Sequence, residues 1–215
     1  MAVKTSWVAG EVLTAADLTD TFGSKLDYPT GGNDGDLLAK DGTAAEWIAV
    51  PEAGLTLITS NTFSAVSTLD INNCFTSTYA VYRVLLTNMS LASGTDIRVR
   101  ARLRTGGSPN STSNYRDGRR GVSGSGTFDQ NFTGSKTSWE FISNLDSGQG
   151  PAFTSFDLFN PQLATHTAYA AISATSDAFQ GTSGKFDADT QFDGISIFPA
   201  SSTFSGTIRI YGYGN

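Results

Sequence analysis

The segment Asp96–Arg104 reads D-I-R-V-R-A-R-L-R, an alternation of apolar and basic residues without a fault. Successive side chains of a β-strand point to opposite faces, so Ile97, Val99, Ala101 and Leu103 share one face and Arg98, Arg100, Arg102 and Arg104 the other. A helix would scatter both sets around its circumference. The segment is therefore a strand, and its two faces make opposite demands. The apolar row needs a core. The arginines stand about 7 Å apart along their face, and each neighbouring like pair costs about 0.6 kcal/mol in water. Three environments meet that demand: a wet or salt-bridged sheet face, acidic residues of a neighbouring subunit, or an anionic ligand matched to guanidinium forks.

The rest of the chain after about residue 55 follows the same logic. Val81–Leu86 is apolar on both faces and reads as a central strand. Further strands are predicted at Leu55–Thr59, Phe63–Ile71, Ser138–Ser143, Phe153–Phe159, Ala168–Ala174, Gly194–Phe198 and Thr203–Tyr211. The 14 Phe and 7 Tyr can build a core, while 23 Gly and only 16% charged residues favour turns and strands over helices. Roughly eight or nine strands separated by Gly/Ser/Asn/Pro turns imply a mainly β fold, an antiparallel jelly-roll-like β-sandwich over residues 55–215. Two stretches, Thr105–Phe128 and Ser176–Asp193, read as long loops.

Residues 1–54 have a different character. Thr14 can cap a helix over residues 14–26, with Asp17 favoured at its positive end. Leu18, Phe22 and Leu26 form its single apolar stripe. A helix so short is marginal alone in water, so the stripe must pack on something. A turn-rich, extended linker follows, and Trp7 and Trp47 bracket the helix. Trp7, Leu18, Phe22, Leu26 and Trp47 are accordingly the docking and assembly candidates.

Charge and inventory exclude several functions. A net charge of −6 disfavours general attraction to nucleic acid or an anionic membrane. The single cysteine, Cys74, allows no internal disulfide. No run is long and apolar enough for membrane insertion, and no signal peptide is expected. A soluble product of a reducing cytosol follows.

No catalytic residues are expected. His166 is the only histidine, and no serine sits in a G-x-S-x-G elbow. The run Asp187–Gly194 is rich in aspartate, but Phe192 and Phe198 stand where an EF-hand needs Gly and Glu, so a solvated acidic turn is the plainer reading and no metal site is assigned. No cofactor is implied. In the first long loop, Tyr115, Arg116, Arg119 and Arg120 have flexible Gly/Ser neighbours. Tyr and Arg are favoured contact residues, which makes these four the receptor-contact candidates, with packing at a subunit interface as the competing reading.

The opening Trp7…Gly10-x-Val12-Leu13-Thr14-Ala15-Ala16-Asp17-Leu18 and the linker Gly35-Asp36-Leu37-Leu38…Asp41-Gly42-Thr43…Trp47 resemble N-terminal attachment segments of bacteriophage tail fibres and related virion appendages. The β portion resembles C-terminal domains of phage structural proteins in Phe75–Arg83, Asn160-Pro161 and the closing Phe204–Gly212. The resemblance implies a virion protein made in the host cytoplasm. It would be a short tail fibre, a homotrimer, whose N-terminus docks to other virion proteins and whose sandwich is presented to a host cell-surface glycan. A head fibre, capsid decoration or baseplate component without receptor binding is the alternative. A free carbohydrate-binding module and a hydrolase are more distant rivals. The chain has no long shaft and no Asp-rich β-helix of the depolymerising kind.

Overall fold

The computed structural model describes residues 37–41, 44–48 and 54–214, apart from 124, 125, 127 and 177. The chain divides into two compact units, Met1–Pro51 and Glu52–Asn215. The helix expected over residues 14–26 lies outside the described residues, as do Trp7, Leu18, Phe22 and Leu26. Part of the linker is a β-hairpin: β1 (Leu37–Asp41) and β2 (Ala44–Ile48) pair antiparallel, with Leu38 opposite Trp47. Asp41-Gly42 is a strong hairpin signal in its own right.

The second unit is an antiparallel β-sandwich. Its strands are β3 (Leu55–Val66), β4 (Leu69–Ile71), β5 (Val81–Leu91), β6 (Ile97–Thr105), β7 (Ser108–Pro109), β8 (Tyr115–Ser123), β9 (Phe128–Lys136), β10 (Trp139–Leu145), β11 (Ala152–Phe159), β12 (Thr167–Ala174), β13 (Ala178–Phe186), β14 (Gly194–Pro199) and β15 (Phe204–Tyr213). An eight-stranded sheet has the order β3-β15-β5-β11-β12-β13-β8-β9. A five-stranded sheet runs β10-β6-β14-β4, with β7 folded back on β6. The chain crosses repeatedly from one sheet to the other, the winding expected of a jelly-roll-like sandwich, whereas β11-β12-β13 and β8-β9 are simple meanders.

Both sheets turn alternate residues inward. Val99, Ala101 and Leu103 of β6 and Ile195 and Ile197 of β14 meet Tyr82, Val84 and Leu86 of β5, Phe156 and Leu158 of β11, and Ile208 and Ile210 of β15. Each such side chain contributes about 1.5–3 kcal/mol when fully buried. Towards β8 the core becomes aromatic. The Tyr115 ring lies 5.2 Å from Trp139 and 4.9 Å from Phe186, and Trp139 lies 4.7 Å from Tyr169. Edge and tilted contacts of this kind add to the apolar burial.

Two expectations are corrected. The predicted loop Thr105–Phe128 holds β7 and all of β8, and the predicted loop Ser176–Asp193 holds β13. Both long strands are secured by register rather than by a hydrophobic period: β13 pairs with β8 continuously from Ala178↔Ser123 to Phe186↔Tyr115. Tyr115 is correspondingly not on a surface loop. It is fully buried, its hydroxyl donating to Asn110 O at 2.9 Å and accepting from the Leu103 N–H at 3.0 Å.

A candidate binding trough at the β8–β9 end of the large sheet

The arginine face of β6 resolves into unequal environments. Arg98 and Arg100 both reach Glu140 of β10, at 2.9 and 3.0 Å. Arg102 donates to Thr137 O at 3.0 Å and stacks over the Phe198 ring, 4.8 Å from its centroid. Arg104 is buried. It binds Asp70, Ser196 and Asn72 at 2.7 Å each and also donates to Gly107 O. Carboxylates of the same chain therefore meet much of this row's charge.

Glu140 opens a longer network. Lys136 of β9 lies 3.1 Å from Glu140 and 3.2 Å from Asp117 of β8. The other Asp117 oxygen accepts the Glu140 backbone N–H at 2.7 Å. Burial pushes the Asp117 carboxyl above its ordinary pKa, against the pull of the Glu140 N–H and Lys136. Burial acts the same way on Glu140, but Lys136, Arg98 and Arg100 outweigh it and hold that carboxyl below the usual range.

Beside this network lies an open trough of about 530 Å³. It follows one row of the sheet, in which Ala171 pairs with Thr182, Thr182 with Arg119, and Arg119 with Asn131. The adjoining segments 118–120, 130–132 and 181–183 complete the lining. A shallow extension passes Asp117, Thr133, Lys136 and Glu140. Thr182 is only 6% exposed, and its hydroxyl, which neighbours that of Tyr169, makes no well-formed hydrogen bond among the described residues. Asn131 Oδ1 accepts from the Thr133 hydroxyl at 3.2 Å. The volume falls within the range of small-ligand sites, and the lining offers amide, hydroxyl and guanidinium groups beside Phe132 and over glycine and alanine backbone.

The contact candidates thus separate. Arg119 lines the trough within the row, and Arg120 borders it with its guanidinium 5.5 Å from the Phe128 ring centroid. Arg116 is committed elsewhere, to Asp187 at 2.7 Å. Tyr115 is core. Sequence reading missed Thr182 because its strand looks like a loop, and Asn131 because it lies in β9, a strand with no apolar alternation to mark it. Trp47 belongs to β2, in the other unit.

The remaining reactive side chains are placed as follows. Cys74 is buried, and burial pushes its thiol pKa up to about 12, so it carries no thiolate at neutral pH. His166 Nε2 lies 3.2 Å from Asp187, which also takes Lys185 at 2.7 Å. In the aspartate-rich run, Asp193 accepts the Gly106 N–H at 2.8 Å, tying the β6–β7 turn to the start of β14. Among the described residues no cluster of three or more His, Cys, Asp or Glu is arranged to hold a metal ion. Among them, too, no helix is long and apolar enough to cross a membrane.

Taken together, the fold and the trough define a β-sandwich protein with an open, groove-like surface that mixes polar and apolar groups. Comparison with protein-family models and with curated proteins finds no match to the chain.

Proposed function

We propose that this chain is a non-enzymatic bacteriophage virion structural protein, a short tail fibre. It docks to the particle by its N-terminal segment and presents the sandwich to a host-surface glycan. The trough is the observation that carries the binding half of this reading. A saccharide unit offers several hydroxyls to donors and acceptors, and the Asn131 amide, the Arg119 guanidinium and the buried Thr182 hydroxyl supply such a set in a space of about 530 Å³. Each polar contact contributes only about 1 kcal/mol net. An appendage compensates by multiplicity: several copies on one particle turn weak contacts into firm attachment. The formal charge of −6 per chain limits indiscriminate sticking. The docking half rests on the N-terminal resemblance.

The test is binding of labelled full-length protein to a panel of bacterial strains and to an array of bacterial surface polysaccharides. Wild type should bind a subset, and Asn131→Ala should weaken binding about tenfold without shifting Tm, the equivalent of about 1.4 kcal/mol; Arg119→Ala should weaken binding at least as much. Binding to no strain and no polysaccharide would leave a particle-bound role without receptor. Release of sugars from the array would overturn the non-enzymatic reading.

A further inference from the structure

The large sheet has a second face, turned away from the core. Phe153 of β11 lies opposite Ala174 of β12, Ala174 opposite Phe179 of β13, Phe179 opposite Val122 of β8, and Val122 opposite Phe128 of β9. Directly paired residues of antiparallel strands share a face, so these positions form one apolar row across five strands. Two residues along, Ile172 stands opposite Gly181, and beyond it Phe132 stands opposite Gly118.

The large side chains of this face are open to solvent: Phe132 is 75% exposed, Ile172 73%, Phe179 69%, Phe128 58% and Phe153 56%. Single exposed apolar residues are ordinary, but a contiguous set on neighbouring strands is not. With about 200 Å² for each aromatic side chain, the exposed apolar area is ~700 Å², close to the ~800 Å² per partner of a stable protein interface. The relief is uneven in a useful way. Ile172 and Phe132 project beside glycines, and a Cβ at Gly181 would meet nothing nearer than Arg120 O at 3.9 Å. Knobs and hollows thus alternate on one surface.

Area identifies the occupant: the exposed apolar surface is close to what each copy buries in a stable pair of chains. A chain with a net charge of −6 repels its own copy at most surfaces. On this face Arg83 pairs with Asp157 at 2.8 Å, and Arg116 and Lys185 share the single carboxylate of Asp187 at 2.7 Å. Arg120 lies over the Phe128 ring. The five positions of the Phe153–Phe128 row themselves carry no charge.

We propose that the Phe153–Phe128 row, widened by Ile172 and Phe132, is the contact between copies of this chain, packed sheet against sheet. The inference does not need the virion reading, although Gly118, Arg120, Gly181 and Phe132 of this face also line the trough. The test is light scattering on the full chain up to roughly 100 μM, where a contact of ~10 μM Kd is largely formed. Wild type should give a multiple of the 22.7 kDa chain mass. Ile172→Glu with Phe179→Glu should give the single-chain mass with unchanged circular dichroism. Phe132→Asp, on another strand, should do the same and decides the matter if the first variant misfolds. Leu163→Glu, an exposed residue outside the row, should leave the mass as in wild type. A monomeric wild type would overturn the proposal, whether another protein or the N-terminal segment covers the face. So would folded variants that keep the wild-type mass.

Discussion

Arg104 and Asp70 meet at 2.7 Å on the outer side of the small sheet, the guanidinium buried and the carboxylate half exposed. Arg104 is the last of four arginines that look equivalent in the sequence, yet it alone is buried, with Asn72, Ser196 and Gly107 O also accepting from it. Removing it leaves those acceptors and the Asp70 charge uncompensated. Arg104→Ala should cost about 3 kcal/mol or more. Arg98→Ala, which removes one of several cations around Glu140, should cost under about 1 kcal/mol. Denaturant unfolding of both variants checks the ranking, and equal losses would contradict this account of the row.

Asp157 gives a pH signature. Burial acts to raise its pKa, but hydrogen bonds from Arg83 at 2.8 and 2.9 Å and from the Tyr213 hydroxyl at 2.9 Å outweigh it and hold the carboxyl below its ordinary value. A depressed folded pKa contributes stability that is present above the unfolded value of about 3.9 and lost as pH falls through the folded one. Asp157→Asn should therefore be less stable than wild type by about 1.5 kcal/mol at pH 7. The gap should narrow as pH falls below about 4. A gap independent of pH would show that the ion pair contributes nothing.

Tyr115 joins β8 to the end of β6 through its hydroxyl, which accepts from Leu103 N–H and donates to Asn110 O. Tyr115→Phe keeps the ring in its aromatic cluster and removes both bonds, at a cost of about 1–2 kcal/mol. Tyr115→Ala also empties the cluster and should cost about 3–5 kcal/mol. Thermal unfolding should rank the two in that order, and any loss of surface binding should follow unfolding rather than precede it.

The sequence showed the sandwich where the core enforces a period of two. β6 and β15 put apolar residues inward at every second position, and both were legible, as was β5 with its wide apolar run. β8 and β13 were not. The inward positions of β8 include Asp117, Arg119 and Gly121, and those of β13 include Gln180, Thr182 and Gly184, so neither strand carries an apolar alternation. These strands face Trp139, Lys136 and Glu140 in a partly polar layer. Their glycines and charges therefore looked like loop composition. The trough was hidden for the same reason. Arg119 could be picked out by residue type, but its neighbours Thr182 and Asn131 become a site only once β13, β8 and β9 are paired.

Gly184 and Gly181 lie on the same strand and make opposite demands, although neither has a positive φ. A Cβ on Gly184 would collide with Arg116 O and come within 2.7 Å of the Tyr169 ring and 3.1 Å of Asp117 Cα. Two of these neighbours are backbone, and the ring is locked between Trp139 and Phe156, so nothing can yield cheaply. Gly184→Ala should destabilise by about 2–3 kcal/mol through overpacking. At Gly181 the nearest atom to an added Cβ is Arg120 O at 3.9 Å. There the methyl has room and also removes backbone freedom from the unfolded chain, so Gly181→Ala should be neutral or stabilising by up to about 0.5 kcal/mol. Chemical denaturation of the pair tests the β13–β8 pairing directly. If the predicted loop over residues 176–193 were correct, neither position would be confined, and the two substitutions would behave alike.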